Sequence, residues 1–190
     1  MAHKEQNDYV NKIKAKFPKN FFGAKVLGIG TFNVVGTEDQ YFEGGHYQGL
    51  DLLPGEGVDI VCPAQDYAAP NNTFDTIISC ECFEHNPFWR ETMINAYRML
   101  KPGGLMLLTM ATTGRPEHGT KRLEEESKRK FPNWKSMPNV MKEDWDNDYY
   151  QNLTEADLMR VIQGADLWFT DYEFEISEPH CDLYFWGIKE

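Results

Sequence analysis

The sequence predicts an α/β fold: a three-layer sandwich on a mainly parallel sheet, finished by an antiparallel C-terminal hairpin. Three observations predict it. Short apolar runs that read as buried strands alternate with helical patterns. From Phe74 to Met110 the order strand, helix, turn, strand forms a compact crossover unit of the kind that builds parallel sheets. The runs Leu167–Ile176 and Cys181–Ile188 alternate with period two and are joined by Ser177-Glu178-Pro179-His180, which reads as an antiparallel pair.

Taken in order, Tyr9, Val10, Ile13 and Phe17 recur at helical spacing from about Lys4, and Pro18 stops the pattern, giving a leading amphipathic helix. Lys25 to Gly30 is a buried strand that opens into the turn Thr31-Phe32-Asn33-Val34-Val35-Gly36. His46–Asp51 is a second strand ending on an acid. Val58–Val61 is a third, yet only Leu52 to Gly57 separates the two, too few for the dozen or so residues of a helical crossover. Any connecting helix is therefore missing. Phe74–Cys80 is the fourth strand. A helix from about Pro87 to Leu100 follows, with Phe88, Met93, Ala96, Tyr97 and Leu100 as its apolar stripe. Lys101-Pro102-Gly103-Gly104 ends it, and Leu105–Met110 is the fifth strand. From Ala111 to Leu153 charges, prolines and scattered aromatics replace periodicity, which in a compact domain marks a lid or binding loop. Thr154, with Asp157 three residues on, caps a helix through Gln163 that Gly164 ends. No internal repeat or low-complexity stretch interrupts this order.

A chain of 190 residues that is 41% hydrophobic fits one core, so residues 1–190 are expected to form a single domain. Thirty acidic against 19 basic residues give a net charge of −11, which argues against a polyphosphate partner. The basic residues Lys121-Arg122 and Lys128-Arg129-Lys130 bracket Glu124-Glu125-Glu126 and read as a solvated helix face. The N-terminus lacks the apolar core of a signal peptide, and no window is long and apolar enough to cross a bilayer. A cytoplasmic protein with no nucleic-acid or membrane partner is expected. Cys62, Cys80, Cys82 and Cys181 are too few and too irregularly spaced for a disulfide framework. Cys80, Cys82 and His85 lack an obvious fourth ligand and alternate like a strand entering a turn, so no metal is expected there.

A glycine-bearing turn after the first strand, followed about 20 residues later by an acid ending the second, is the physical arrangement for holding a nucleoside. Glycine lets backbone approach the ligand. The two oxygens of Asp51 suit the two ribose hydroxyls.

Several stretches then share an order. They are Val26 to Gly36, the strand end Gly49-Leu50-Asp51, Phe74 to Ser79, Glu84-His85, and Arg98-Met99-Leu100-Lys101-Pro102-Gly103-Gly104-Leu105. In order and spacing the chain resembles the class I, S-adenosylmethionine-dependent methyltransferases of the broad type 11 group, which have a Rossmann-like fold. A closer likeness is to members whose first loop reads Gly-Ser-x-Asn-Val-Asn-Gly and whose ribose acid is soon followed by a proline-glycine turn. Here these are Gly30 to Gly36 and Pro54-Gly55. The truncated connection is then a trait of that subgroup, and His118-Gly119 and Asp148 to Thr154 resemble its later segments. The resemblance implies S-adenosylmethionine as cofactor, S-adenosylhomocysteine as product, and a cofactor shell of Gly28, Gly30, Thr31, Asn33, Asp51, Leu52, Ala64, Gln65, Cys80 and Glu81. Two positions depart from the pattern. Gly28 stands where the group has an acid that orients the loop and the cofactor's amino-acid end, and Pro63 stands where it often has an aspartate for the adenine amino group.

Methyl transfer to oxygen or nitrogen is an in-line displacement in which a protein aligns two reactants and excludes water. A hydroxyl acceptor also loses a proton, for which a histidine is suited near neutral pH. His118 and His85 are the candidate bases. Glu81 and Glu84 admit either a catalytic or a packing role, and Trp134, Trp145, Tyr149 and Tyr150 either line an acceptor pocket or pin the lid. The expected acceptor is a small molecule or carbohydrate-like compound. The alternatives are a non-catalytic binding module on the same fold, favoured by the departures at Gly28 and Pro63, and a nicotinamide oxidoreductase, which leaves the Lys101–Gly104 strand entry and the terminal hairpin unexplained.

Overall fold

A computed structural model describes residues 4–32, 38–120, 122–123 and 148–190. Among the described residues seven strands form one mixed sheet in the order β3-β2-β1-β4-β5-β7-β6: β1 (Lys25–Ile29), β2 (His46–Asp51), β3 (Ile60–Val61), β4 (Phe74–Cys80), β5 (Leu100–Ala111), β6 (Phe169–Ser177) and β7 (Asp182–Lys189). The pairs β1–β2, β2–β3, β1–β4 and β4–β5 are parallel, whereas β7 runs antiparallel to both β5 and β6. This is the expected mainly parallel sandwich with an antiparallel end, and the hairpin enters with its second strand innermost.

Side-chain alternation along β5 divides the interior between two faces. Leu105 and Leu107 meet Tyr9, Val10 and Ile13 of the leading helix α1 (Lys4–Lys16), together with Val26, Ile78 and Trp186. Met106 and Leu108 meet the opposite layer, where α2 (Trp89–Met99) buries Trp89, Met93, Ala96 and Met99, and α3 (Glu155–Gly164) buries Leu158, Val161 and Ile162. Both faces being covered is why the central strands read as continuous apolar runs.

Four local expectations are refined. The third strand is confined to two residues, and the stretch from Leu52 to Asp59 crosses to it without a helix, as the short spacing requires. Phe88 does not join the helix stripe: it precedes α2 with about half of its surface exposed, and Trp89 takes the buried place. Lys101 to Gly104 is not a turn outside the sheet. It forms a bulge inside β5, where Phe74 pairs with Leu100 and Thr76 with Leu105, and Gly103 takes φ 73° to allow it. Gly164 closes α3 from within, and Asp166, at φ 51°, supplies the left-handed step instead.

The cap of α3 is as expected. The Thr154 hydroxyl accepts from the Asp157 N–H while the Asp157 carboxylate accepts from the Thr154 N–H at 3.0 Å. Replacing Thr154 with alanine should cost about 1 kcal/mol in urea unfolding, and an unchanged midpoint would mean that packing alone holds this helix end.

Candidate functional site

The first loop and the β2 end form one unit. Gly30 sits at φ 78°, and its N–H donates to the Leu50 carbonyl at 2.8 Å. A Cβ there would lie 2.5 Å from the Cβ and Sγ of Cys82, so the turn closes only with glycine. Asp51 accepts backbone N–H groups from Phe32 at 3.1 Å and from Leu52 and Leu53 at 2.6 and 3.3 Å. Its carboxylate thus ties the loop after β1 to the loop after β2, and of its roughly four lone-pair sites one is left for a ligand hydroxyl. Thr31 is buried and its hydroxyl donates to the Gly57 carbonyl at 2.9 Å. Ala64 is buried too, and its carbonyl accepts from the Asn95 side chain of α2. Gln65 is half-buried beside it. Asn33 lies outside the described residues.

The departure at Gly28 has a structural partner that the sequence pattern did not reveal. A Cβ at Gly28 would fall 2.0 Å from the Tyr47 hydroxyl, so that ring fills the space an acidic side chain would need. The Tyr47 hydroxyl in turn donates to Glu38 at 3.2 Å. Burial raises Glu38 to about 7, with Asp39 and Asp51 adding to the effect. An acid is thus supplied at this corner from the short helical turn Glu38–Tyr41 rather than from β1. A cavity of about 320 Å³ lined by Asp39, Tyr47, Gly57, Val58 and Asp59 opens next to this corner, but none of the residues expected to hold the cofactor lines it.

The second group gathers beyond β4 and β5. Glu81 follows β4 with φ 53°, a left-handed conformation that costs a non-glycine residue free energy. Its side chain is held from below: Gln6 of α1 donates to the Thr109 hydroxyl at 2.8 Å, and that hydroxyl donates to Glu81 at 3.3 Å. Arg115 lies 4.0 Å from Glu81 and pairs with buried Asp182 at 3.1 Å. Burial, then Asp182, raises Glu81 to about 7. Cys80, half-buried at the end of β4, packs with the α1 layer, and burial raises its thiol well above the usual range.

Glu84 and His85 sit in the next turn, Phe83–His85, and His118 comes from the loop after β5. Glu84 is fully buried, and neither of its carboxylate oxygens has a hydrogen-bond partner. Burial pushes its acid well upward, with Glu81 adding to this, and the backbone N–H groups of Glu84 and Ala111, near it but outside hydrogen-bond geometry, ease it only in part. The Nε2 of His118 stands 4.0 Å from Glu84 Oε1. Its Nδ1 lies 3.1 Å from the Pro116 carbonyl, which fixes the proton on Nδ1 and leaves Nε2 with its lone pair. The two histidine rings meet edge to face at 5.1 Å, and Tyr150 packs against both. Burial lowers both rings, His85 to about 4, which favours their neutral forms.

Residues 148–153 close over this group. Gln151 N–H donates to the Glu84 carbonyl and Leu153 N–H to the Ala111 carbonyl, both at 2.9 Å. Arg122 joins the flanks by donating to Glu117 at 2.7 Å and to the Asp148 carbonyl at 3.1 Å. Trp134, Trp145 and the basic run Lys128–Lys130 lie outside the described residues. Cys82 links the two halves of the site: it touches Gly30, and burial, Asp51 and Glu84 all raise its thiol. Among the described residues Cys80 and Cys82 join no metal-ligand group, whereas Glu84, His85 and His118 place one ligand atom each within 4.8 Å of the others. The sequence reading missed Glu38 altogether, and it weighed Glu84 without seeing that both its oxygens are orphaned.

These residues fit a nucleoside with a charged amino-acid end. Asp51 offers an acceptor for a diol, Gly30 gives close backbone approach, and Glu38 offers a counter-charge. A family model described as a methyltransferase domain matches residues 1–167. No curated protein sequence matches the chain. The phosphoethanolamine N-methyltransferase 2 of Haemonchus contortus, solved with phosphomonomethylethanolamine and S-adenosylhomocysteine, superposes with a TM-score of 0.64 at 18% identity, over 96% of this chain and 53% of that one. This chain therefore spans about half the length of that protein. The 1,6-didemethyltoxoflavin-N1-methyltransferase of Burkholderia thailandensis, solved with 1,6-didemethyltoxoflavin and S-adenosylhomocysteine, gives 0.59 at 14% identity over 100% of this chain and 91% of its own. With the family model covering most of its length, the chain belongs to the methyltransferase-domain family and has the Rossmann-like fold of the class I S-adenosylmethionine-dependent enzymes.

Proposed function

We propose that the chain transfers the methyl group of S-adenosylmethionine to an oxygen or nitrogen of a small-molecule or carbohydrate-like acceptor bound beyond the C-terminal ends of β4 and β5. The observation that carries this reading is the gathering of Glu84, His85, His118 and Tyr150 next to the glycine turn, with Cys82 in contact with Gly30. Crevices beyond the carboxyl ends of parallel strands are where α/β sheets hold ligands. When bound, S-adenosylmethionine supplies an electrophilic methyl group. Asp51 accepts from its ribose, Ala64 and Gln65 flank its adenine, and Glu38 faces its ammonium in place of an acid at position 28. His118 Nε2 takes the proton of a hydroxyl acceptor as the new bond to carbon forms, and His85 is the alternative base.

The small acceptors named in the two superposed structures and the net charge of −11 both favour a compact substrate over nucleic acid. In the same reading residues 1–190 are one methyltransferase domain, residues 1–20 its leading helix, and residues 111–153 the segment that covers the acceptor. The four cysteines are free, which suits a reducing cytoplasm. Among the described residues no helix is long and apolar enough to cross a membrane. The non-catalytic alternative rested on Gly28 and Pro63, and Glu38 removes the first of those supports. The family match leaves the nicotinamide alternative without one.

Calorimetric titration tests this. S-adenosylmethionine should bind and a nicotinamide dinucleotide should not. Glu38, raised to about 7, is largely protonated at pH 6 and largely ionised at pH 7.5, so affinity should rise about eightfold between them. Glu38→Gln should abolish that slope. Binding of the dinucleotide alone, or a slope unchanged in the variant, would reject the reading.

A further inference from the structure

We propose that Glu84, His85 and His118 form a binding site for one divalent first-row transition cation, of the zinc or manganese kind. Each offers one ligand atom, and the three lie within 4.8 Å of one another. The proposal depends on the acceptor-side reading above only for what the cation would face, since its binding is measured without acceptor or cofactor.

Three independent features point to a cation. The first is the orphaned carboxylate: a fully buried side chain with two unpartnered oxygens is costly whether charged or neutral, and a metal ligand bond satisfies it. The second is the histidine chemistry. Nδ1 of His85 is buried and also unpartnered. His118 gives its Nδ1–H to the Pro116 carbonyl, the outer hydrogen bond that fixes the tautomer and orientation of a metal-ligating histidine, with Nε2 directed towards Glu84. The third is charge. Of the three carboxyl groups Glu81, Glu84 and Asp182, Arg115 pairs with Asp182 at 3.1 Å and lies 4.0 Å from Glu81, and among the described residues it makes no ion pair with Glu84.

The donor set selects the ion. Two imidazole nitrogens and one carboxylate oxygen suit zinc, manganese or iron(II) rather than calcium or magnesium, which prefer oxygen cages. Ligands about 2.0–2.2 Å from a metal stand roughly 3–3.5 Å apart, so binding would draw these three atoms closer together. Three protein ligands leave a position open, as in catalytic rather than structural sites. A hydroxyl coordinated there would lose its proton to solvent more readily, and His118, with Nε2 on the ion, would then serve as a ligand in place of the base.

The test uses the full chain, free of any affinity tag and stripped with chelator, titrated with Zn²⁺ by calorimetry and with Mn²⁺ by electron paramagnetic resonance. One ion per chain should bind with micromolar or tighter affinity for Zn²⁺. Glu84→Gln and His118→Ala should each weaken binding at least tenfold, while His46→Ala, at an exposed histidine of β2, should leave it unchanged. Circular dichroism of each variant separates ligand loss from unfolding, and His85→Gln serves as a second ligand test if Glu84→Gln does not fold. No binding below 1 mM, or binding that survives both ligand variants, would overturn the site. If no ion binds and His118→Ala still abolishes turnover, the proton-accepting role of His118 stands without a cation.

Discussion

Replacing His118 with alanine should leave the affinity for S-adenosylmethionine intact while lowering turnover by roughly two to four orders of magnitude. The expectation follows from position. His118 contacts Pro116, Tyr150, His85 and Glu84, on the side proposed for the acceptor, and among the described residues none of these contacts is to Asp51 or Gly30. Its ring is held below the usual histidine range by burial and by Arg115, while the Pro116 carbonyl works the other way. The lowered ring favours the neutral form that accepts a proton, so the rate should fall on acidification through and below the usual histidine range. Steady-state kinetics with an identified acceptor, beside calorimetry of the cofactor, provide the measurement. Joint loss of cofactor binding would move His118 to the donor side. Full activity would reject its role and leave His85, or direct transfer to an acceptor that is already nucleophilic.

The second large effect is expected at Asp51. Alanine there should weaken cofactor binding by about 1.5–3 kcal/mol, one to two orders of magnitude in Kd. Part of that loss comes from the missing contact to the ribose. The rest comes from the loops, because the carboxylate now orders Phe32, Leu52 and Leu53 through their N–H groups. Asp51→Asn separates the two: one amide oxygen can still accept from a loop N–H, so the loop order partly survives while charge-assisted binding to the diol is lost. Unchanged affinity in a folded alanine variant would remove Asp51 from the cofactor site.

The strands were legible because each is a short apolar run closed by a turn, and the missing β2–β3 helix was legible as a matter of chain length. What escaped was set by burial. Phe88 and Trp89 are adjacent and both apolar, and only the way α2 docks decides which of them enters the core. The Lys101–Gly104 segment reads as a turn because of its proline and glycines, yet the register of β5 against β4 absorbs it as a bulge. In the site, the Gly30–Asp51 pair was visible because it rests on spacing along the chain. Glu38 was not, because its role depends on Tyr47 filling the place of a side chain that Gly28 lacks. Glu84 and His118 are far apart in sequence, and nothing in their neighbours announces that a carboxylate would be buried beside an imidazole.

The placement of β7 between β5 and β6 also sets an order of assembly. The ribosome makes β5 long before β7, because everything from Thr112 to Cys181 lies between them in the chain. At synthesis rates of about 5–20 residues per second, several seconds pass in which β5 is paired on its β4 side and bare on the other. A bare strand edge invites pairing with another chain. Strand β6 emerges first but cannot cover that edge, since its partner in the finished sheet is β7. The half-built sheet therefore carries its aggregation risk at β5, and the last strand to be made is the one that ends it.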